Sequence, residues 1–592
     1  MGTKTREEIN DKYKWDIAAM YATDDEWEAD FAWVNETKTS VAALKGTLGD
    51  SAESLHNCLE QKDGLFKKAE NIYTYAHLKQ DENTENPTYQ ALSARVDSLL
   101  TEVAAALSFV EPEILAIDRA KLESYMNNFE HLKLYKHYIE GILRLKEHTL
   151  SDEMESVLAK VSEIGQAASK IFTMLNNADL KFGTIKDENG NDKEVTHGSY
   201  IGLLESKERS VREAAFKSMY GAYIAHKNTL AESYAASVRN DVFFAKQRGY
   251  ASCLEGALKG NNIPLSVYHN LIKTVNDHLP SLHKYMDVRK KVLGLDELHM
   301  YDIYVPLVPE INTHIEYNKA KETVIKSIAP LGDEYVNELK AGLEAKWVDI
   351  YENKGKKSGA YSWGSYLSHP YILLNYDNKT NDMFTLTHEL GHSMHSHFSR
   401  NNQEYVYGDY TIFVAEVAST VNEALLMEHL LSTEKDDNMK KYLINYYMEQ
   451  FRGTVFRQTM FAEFELKTHE MAEAGEALTS QALNSMYREL NEKYFGKTVT
   501  LDEEINYEWS RIPHFYRPFY VYQYSTGYSA AIALSQKILA GDKDGYLKFL
   551  KSGSSMYPID QLKMAGVDMG SSEAVDLALN VFDGLVEKFE KF

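Results

Sequence analysis

Apolar residues recur at intervals of three and four along most of the chain, as in Glu26–Val34 and Ala91–Leu100. That spacing gathers the apolar side chains on one face of a 3.6-residue turn, so amphipathic helices are predicted from about Trp15 to Phe129. The turn-forming run Asp81-Glu-Asn-Thr-Glu-Asn-Pro87 should break two of them. Only 11 prolines occur among 592 residues, and none lies between Glu113 and Ile263. Proline is the strongest helix breaker, so its absence predicts long uninterrupted helices there.

The period changes in two places. Leu180–Ile185 and Lys193–Thr196 flank Asp187-Glu-Asn-Gly-Asn-Asp192, a turn signal that predicts a β-hairpin. This hairpin is taken to close an N-terminal helical region, 1–198, ahead of a second region, 199–592. Between Pro306 and Asn378, the runs Ala360–Gly364 and Tyr371–Tyr376 predict a short β segment. Helical spacing returns at Phe413–Glu428, Asp437–Asn491 and from Tyr546 onward. The predicted fold class is mainly α with a small β segment.

Charge narrows the partners. With 64 basic and 88 acidic residues the net charge is -24, which repels phosphate backbones and anionic membranes and argues against both. The two cysteines, Cys58 and Cys253, are far apart in sequence, which suits a reducing compartment and excludes a thiolate metal site. Met1–Lys12 is charged where a signal peptide needs an apolar core, and no run of about eighteen apolar residues occurs. A soluble, cytoplasmic protein is expected, its oligomeric state left open.

The chemistry centres on His388-Glu389-Leu-Gly-His392, an H-E-x-x-H pattern. On a helix, His388 and His392 stack on one face and can reach one metal ion, while Glu389 projects about 100° away, suited to act as general base on a metal-activated water. Thr385 or Thr387 is placed near the helix start. A hydrolytic zinc usually takes three protein ligands. His395 and Phe398 stand where the longer H-E-x-x-H-x-x-G-x-x-H pattern needs Gly and His, so the third ligand is sought on another helix. Phe413–Glu428 offers Glu416, with Ala415, Ala418 and Ser419 small enough for close approach. Glu423, two turns on, is too far to bind the same ion and is expected to orient a ligand imidazole. His395 is expected to be an ordinary polar helix residue.

These residues, with Trp15-Asp16, Val211-Arg212, Arg457-Gln458, Ile512-Pro-His514-Phe-Tyr516 and Tyr557-Pro-Ile-Asp560, resemble the thimet oligopeptidase family of zinc metallopeptidases, its oligoendopeptidase F branch most of all. The likeness covers nearly the whole chain. It implies a large helical zincin fold with two halves around a deep cleft, one Zn²⁺ per chain, and hydrolysis of internal bonds in short peptides. It also implies that His514, Tyr524 and Tyr528 face the oxyanion formed during hydrolysis. If the chain becomes helical after Pro518, Tyr520, Tyr524 and Tyr528 share one face; which of the tyrosines from 520 to 528 faces the oxyanion stays open, Tyr522 included. Ala360–Gly364 is the expected edge strand on which a substrate backbone could pair.

Two rival readings remain. One is a peptide-binding protein without turnover. The other is a di-iron helical bundle, raised by a second E-x-x-H at Glu53–His56, which would require two further bridging glutamates from other helices.

Overall fold

A computed structural model describes residues 3–308 and 314–592; Met1 and Gly2, named above, lie outside them. The chain forms two compact units, each assembled from three separated stretches. The first comprises Met1–Lys146, Asn312–His429 and Leu534–Gly566; the second, Glu147–Ile311, Leu430–Ala533 and Val567–Phe592. These packing units cut across the sequence division at 198/199. Tertiary packing draws distant stretches together, and local periodicity carries no sign of that.

In the first unit, Asp24–Ala42, Ala52–Glu82 and Pro87–Leu107 form a packed helical layer. The expected break is there: Ala52–Glu82 ends at Glu82, and Asn86 caps the next helix with Pro87 in its first turn. Trp27, Val34, Leu55, Leu59, Ile72 and Val96 are fully buried in the core of this layer.

Beside it lies a three-stranded sheet of Val348–Asp349, Tyr371–Leu373 and Tyr361–Trp363, with Tyr371–Leu373 central. Tyr361–Trp363 is antiparallel to it, pairing Ser362 with Ile372, and forms an edge. The alternation of a strand sorts its side chains. Tyr361, Trp363, Tyr371 and Leu373 pack on the helical core, whereas Ser362 points to the helix Thr380–Asn402, its hydroxyl 2.7 Å from that of Ser393.

The second unit contains Arg209–Ala225, Lys227–Gln247, Arg457–Glu473 and Ser480–Phe495. Its interior is rich in tyrosine, with Tyr220, Tyr234, Tyr268 and Tyr487 fully buried. Buried charges are matched there: Glu508 accepts from Arg457 at 2.6 Å and from the Tyr487 hydroxyl at 2.5 Å. The hairpin is present as Thr184–Lys186 paired antiparallel with Asp192–Glu194.

The proline-free stretch forms long helices in part, Arg209–Ala225 and Lys227–Gln247, and shorter ones elsewhere. Between Glu113 and Ile263 the shorter ones include Arg119–Asn128, Asp152–Gly165 and Cys253–Lys259. Side-chain caps start each of these, from Asp118, Ser151 and Ser252, and a left-handed glycine at Gly249 turns the chain between Lys227–Gln247 and Cys253–Lys259. Capping and glycine therefore break helices where proline does not.

Candidate metal centre

Both imidazoles of the H-E-x-x-H pattern sit on Thr380–Asn402. This helix starts at Thr380, earlier than the threonine signals implied. Thr385 and Thr387 lie inside it and return their hydroxyls to the carbonyls of Asn381 and Met383. Its N-terminus is closed by Asp382, which accepts from the Lys379 N–H at 2.9 Å. Glu416 lies on Ile412–Thr433.

The two helices meet at Gly391. A Cβ on Gly391 would stand 2.5 Å from Ser419 Cα and 2.7 Å from the Ala418 carbonyl oxygen, backbone atoms that cannot swing away. The small residues expected beside Glu416 are thus matched by a glycine on the other helix. Gly391→Ala is expected to separate the helices, lowering stability by about 3 kcal/mol and weakening metal retention; thermal melting with metal analysis checks both.

This close approach brings His388 Nε2, His392 Nε2 and Glu416 Oε2 together at 3.1, 3.4 and 3.6 Å from one another. Ligand distances of about 2.0–2.2 Å at tetrahedral angles put donors about 3.3–3.6 Å apart, so the triangle fits a zinc-sized ion. Among the described residues this is the one cluster of at least three His, Cys, Asp or Glu side chains close enough to hold a metal. Glu53 and His56 are not part of it; the His56 ring lies beside Phe129 and His131.

The imidazoles are aimed from behind. His388 donates Nδ1–H to Glu423 at 2.5 Å, as expected of Glu423, leaving Nε2 to point into the cluster. His392 bonds to the backbone of Ala415, which fixes its ring in the same sense.

Without a metal the cluster holds its own proton. Burial opposes charge on His388, but the Glu416 and Glu423 carboxylates outweigh it and carry its pKa up to about 10. Burial and the charge of His388 hold His392 down at about 4. Burial works to raise Glu416, yet the His388 bond and both imidazole charges bring it to about 2.

Glu389 is 7% exposed. Burial, against the pull of His388 and with the push of Glu416 and Glu423, lifts it to about 7; the backbone of Ser362 on the edge strand bonds to it. His395 lies on the same helix and outside the cluster, in keeping with its reading as a helix residue that is not a ligand. It is buried, stacked 3.6 Å from Tyr410, with its pKa pressed by burial to about 3.

His514, Tyr524 and Tyr528 all belong to the second unit. The helix there begins at Tyr522, not directly after Pro518, so Tyr520 precedes it. The Tyr520 ring nevertheless lies parallel to that of His514, 6.2 Å away, and Tyr524 stands edge-on to both at 6.0 and 5.6 Å. Burial, with the charge of Arg517, lowers the His514 pKa, favouring the neutral ring. Tyr528 is more enclosed, its ring on Phe451 and its hydroxyl 3.5 Å from Gln450. Tyr522 is buried against Tyr268.

Comparison with known proteins places this geometry. Residues 202–581 match the model of peptidase family M3, and residues 113–182 match that of oligopeptidase F. The chain belongs to peptidase family M3. It is 48% identical to the oligopeptidase PepF of Bacillus subtilis, over 99% of this chain and 88% of that protein. It is 42% identical to an oligoendopeptidase F homolog of Lactococcus lactis, over 99% and 98% of the two chains. The crystal structure of oligoendopeptidase-F from Enterococcus faecium superposes with a TM-score of 0.74 at 41% identity, covering 96% of this chain and 99% of that one. The mainly α family fold and a metalloendopeptidase of the oligoendopeptidase F type are thereby established, in keeping with the likeness read from the motifs. Among the described residues no helix is long and apolar enough to cross a membrane.

Proposed function

We propose that this metallopeptidase is a zinc-dependent endopeptidase acting on internal bonds of short oligopeptides, with one Zn²⁺ held by His388, His392 and Glu416. The convergence of two Nε2 atoms and one carboxylate oxygen within 3.6 Å, beside a buried carboxylate, carries the reading. When bound, zinc supplies a Lewis acid that polarises the scissile carbonyl and acidifies water.

The chain's own residues supply the rest. Glu389, held against Ser362 with a pKa near neutrality, takes the proton of the attacking water and returns it to the departing amine. Glu423 fixes the His388 tautomer. His514, Tyr524 and Tyr528 are proposed to donate to the oxyanion, a neutral imidazole and phenols being suited to that task. Tyr361–Trp363, at the edge of its sheet among the described residues, is proposed to accept the substrate backbone as an added strand, which would recognise peptides with little regard to side chains.

Nucleic acid and membrane are not proposed as partners, and a cytoplasmic location is proposed from the two buried free cysteines. The division at 198/199 is kept as a proposed boundary in sequence; the family matches end at 182 and resume at 202 on either side of it.

Zinc titration of metal-free protein tests this reading. Hydrolysis of an internally quenched peptide should return in proportion to added zinc and stop rising at one equivalent. Binding should also release a proton. His388 keeps its proton up to a pKa of about 10 in the metal-free cluster, and Nε2 must lose it to bind. Apparent affinity should therefore rise with pH, about tenfold per unit between neutrality and pH 9. Calorimetry in buffers of different ionisation enthalpy counts the proton; pH-independent binding or a second equivalent would count against the proposed site.

A further inference from the structure

A buried carboxyl in the second unit has no place in the chemistry above. Glu465, in the middle of Arg457–Glu473, has no exposed surface. Its Oε1 accepts the backbone N–H of Phe519 at 2.7 Å, while Oε2 has no hydrogen-bond partner among the described residues. Burial raises its pKa well above the carboxylate range, opposed by the Phe519 bond and reinforced by Asp241, which favours the neutral acid.

Phe519 itself is unusual. Its φ is +53°, the left-handed region that a bulky side chain rarely occupies. Such a conformation persists where its surroundings hold it. Three contacts do so here: the Glu465 bond, the Tyr268 ring at 5.6 Å and the His469 ring at 4.6 Å.

The turn has a consequence for the residues around it. His514 sits on the short helical turn Pro513–Tyr516, anchored by Phe515 against Phe464 at 5.1 Å. Six residues later Tyr520 lies parallel to it, and the helix bearing Tyr524 follows. An extended chain cannot bring residue 520 back onto residue 514; the reversal at Phe519 does.

We propose that Glu465 is a positioning residue: by accepting the Phe519 N–H it holds the left-handed turn that sets Tyr520 on His514 and aims Tyr524. This rests on the reading that His514 and the tyrosines serve the reaction. A hydrogen-bond acceptor is what the turn requires, and the charge of a carboxylate is dispensable.

The test is steady-state kinetics with metal analysis on Glu465→Gln, Glu465→Met, His514→Ala and the Glu465→Met/His514→Ala double variant. Glu465→Gln keeps the acceptor and should hold kcat within about threefold. Glu465→Met removes the acceptor at similar volume and should lower kcat about 100-fold, with KM and metal content unchanged. In the His514→Ala background the same substitution should cost less than about threefold, because both changes disable one unit.

Wild-type kcat in Glu465→Met, an equal loss in Glu465→Gln, or undiminished loss in the double variant would overturn the proposal. Wild-type kcat in His514→Ala overturns the reading of His514 beneath it; an impaired His514→Ala beside an unimpaired Glu465→Met sinks the positioning role alone. Should Glu465→Met fail to fold, hydrogen exchange of the Phe519 amide in the wild type decides. Protection equal to interior amides of Arg457–Glu473 is expected, and exchange at the unprotected rate overturns it.

Discussion

Glu389→Gln should lower kcat by about 10²–10⁴-fold, the usual contribution of a positioned general base, while one zinc per chain stays bound. The amide has the shape of the acid, so a site that leaves Glu389 7% exposed keeps its packing. What it loses is the ability to carry a proton. The ligand atoms His388 Nε2, His392 Nε2 and Glu416 Oε2 are untouched. Removing a carboxyl repelled by Glu416 and Glu423 should also leave thermal stability equal or slightly higher. Quenched-peptide kinetics beside metal analysis reads both halves, and full activity in the amide variant would remove Glu389 from the mechanism.

Glu416→Ala should act in the opposite order, through the metal first. If three side chains share a zinc-binding free energy of about 10–16 kcal/mol, one ligand accounts for roughly 3–5 kcal/mol, or ~10²–10⁴ in affinity. No thiolate can substitute, since Cys58 and Cys253 are buried outside the cluster. The variant should be isolated largely without zinc, and the turnover it retains should follow the fraction of chains reloaded at high zinc. Competition with a chromophoric chelator measures the affinity, and zinc held as tightly as in the wild type would mean a different ligand set.

The centre was the most legible part of the sequence because its signals are local. An i, i+4 pair of imidazoles on one helix face follows from helical geometry alone, and Glu423, two turns beyond Glu416, is expected from its reach to orient a ligand imidazole. Glu416 depended on small neighbours that permit close helix approach, and the clash a Cβ on Gly391 would make shows how close that approach is. The edge strand and the break at Asp81–Pro87 likewise came from turn chemistry and period.

What stayed hidden has no local signal. Val348–Asp349 and the parallel pair Leu298–His299 with Val499–Thr500 are two-residue strands, too short for alternation to register. The interleaved units depend on contacts between distant stretches. A left-handed Phe519 looks like any phenylalanine, and Glu465 looks like one more solvated position on a helix. The tyrosines were read with a helix starting too early, because the turn that places Tyr520 is made by a buried glutamate from another helix.

The most direct test of the metal centre is anomalous X-ray diffraction from crystals of the wild-type protein, recorded on both sides of the zinc edge. One strong peak at the centre of His388 Nε2, His392 Nε2 and Glu416 Oε2, absent below the edge, is the predicted result. A peak elsewhere, or two peaks that respond at the iron edge instead, would contradict it.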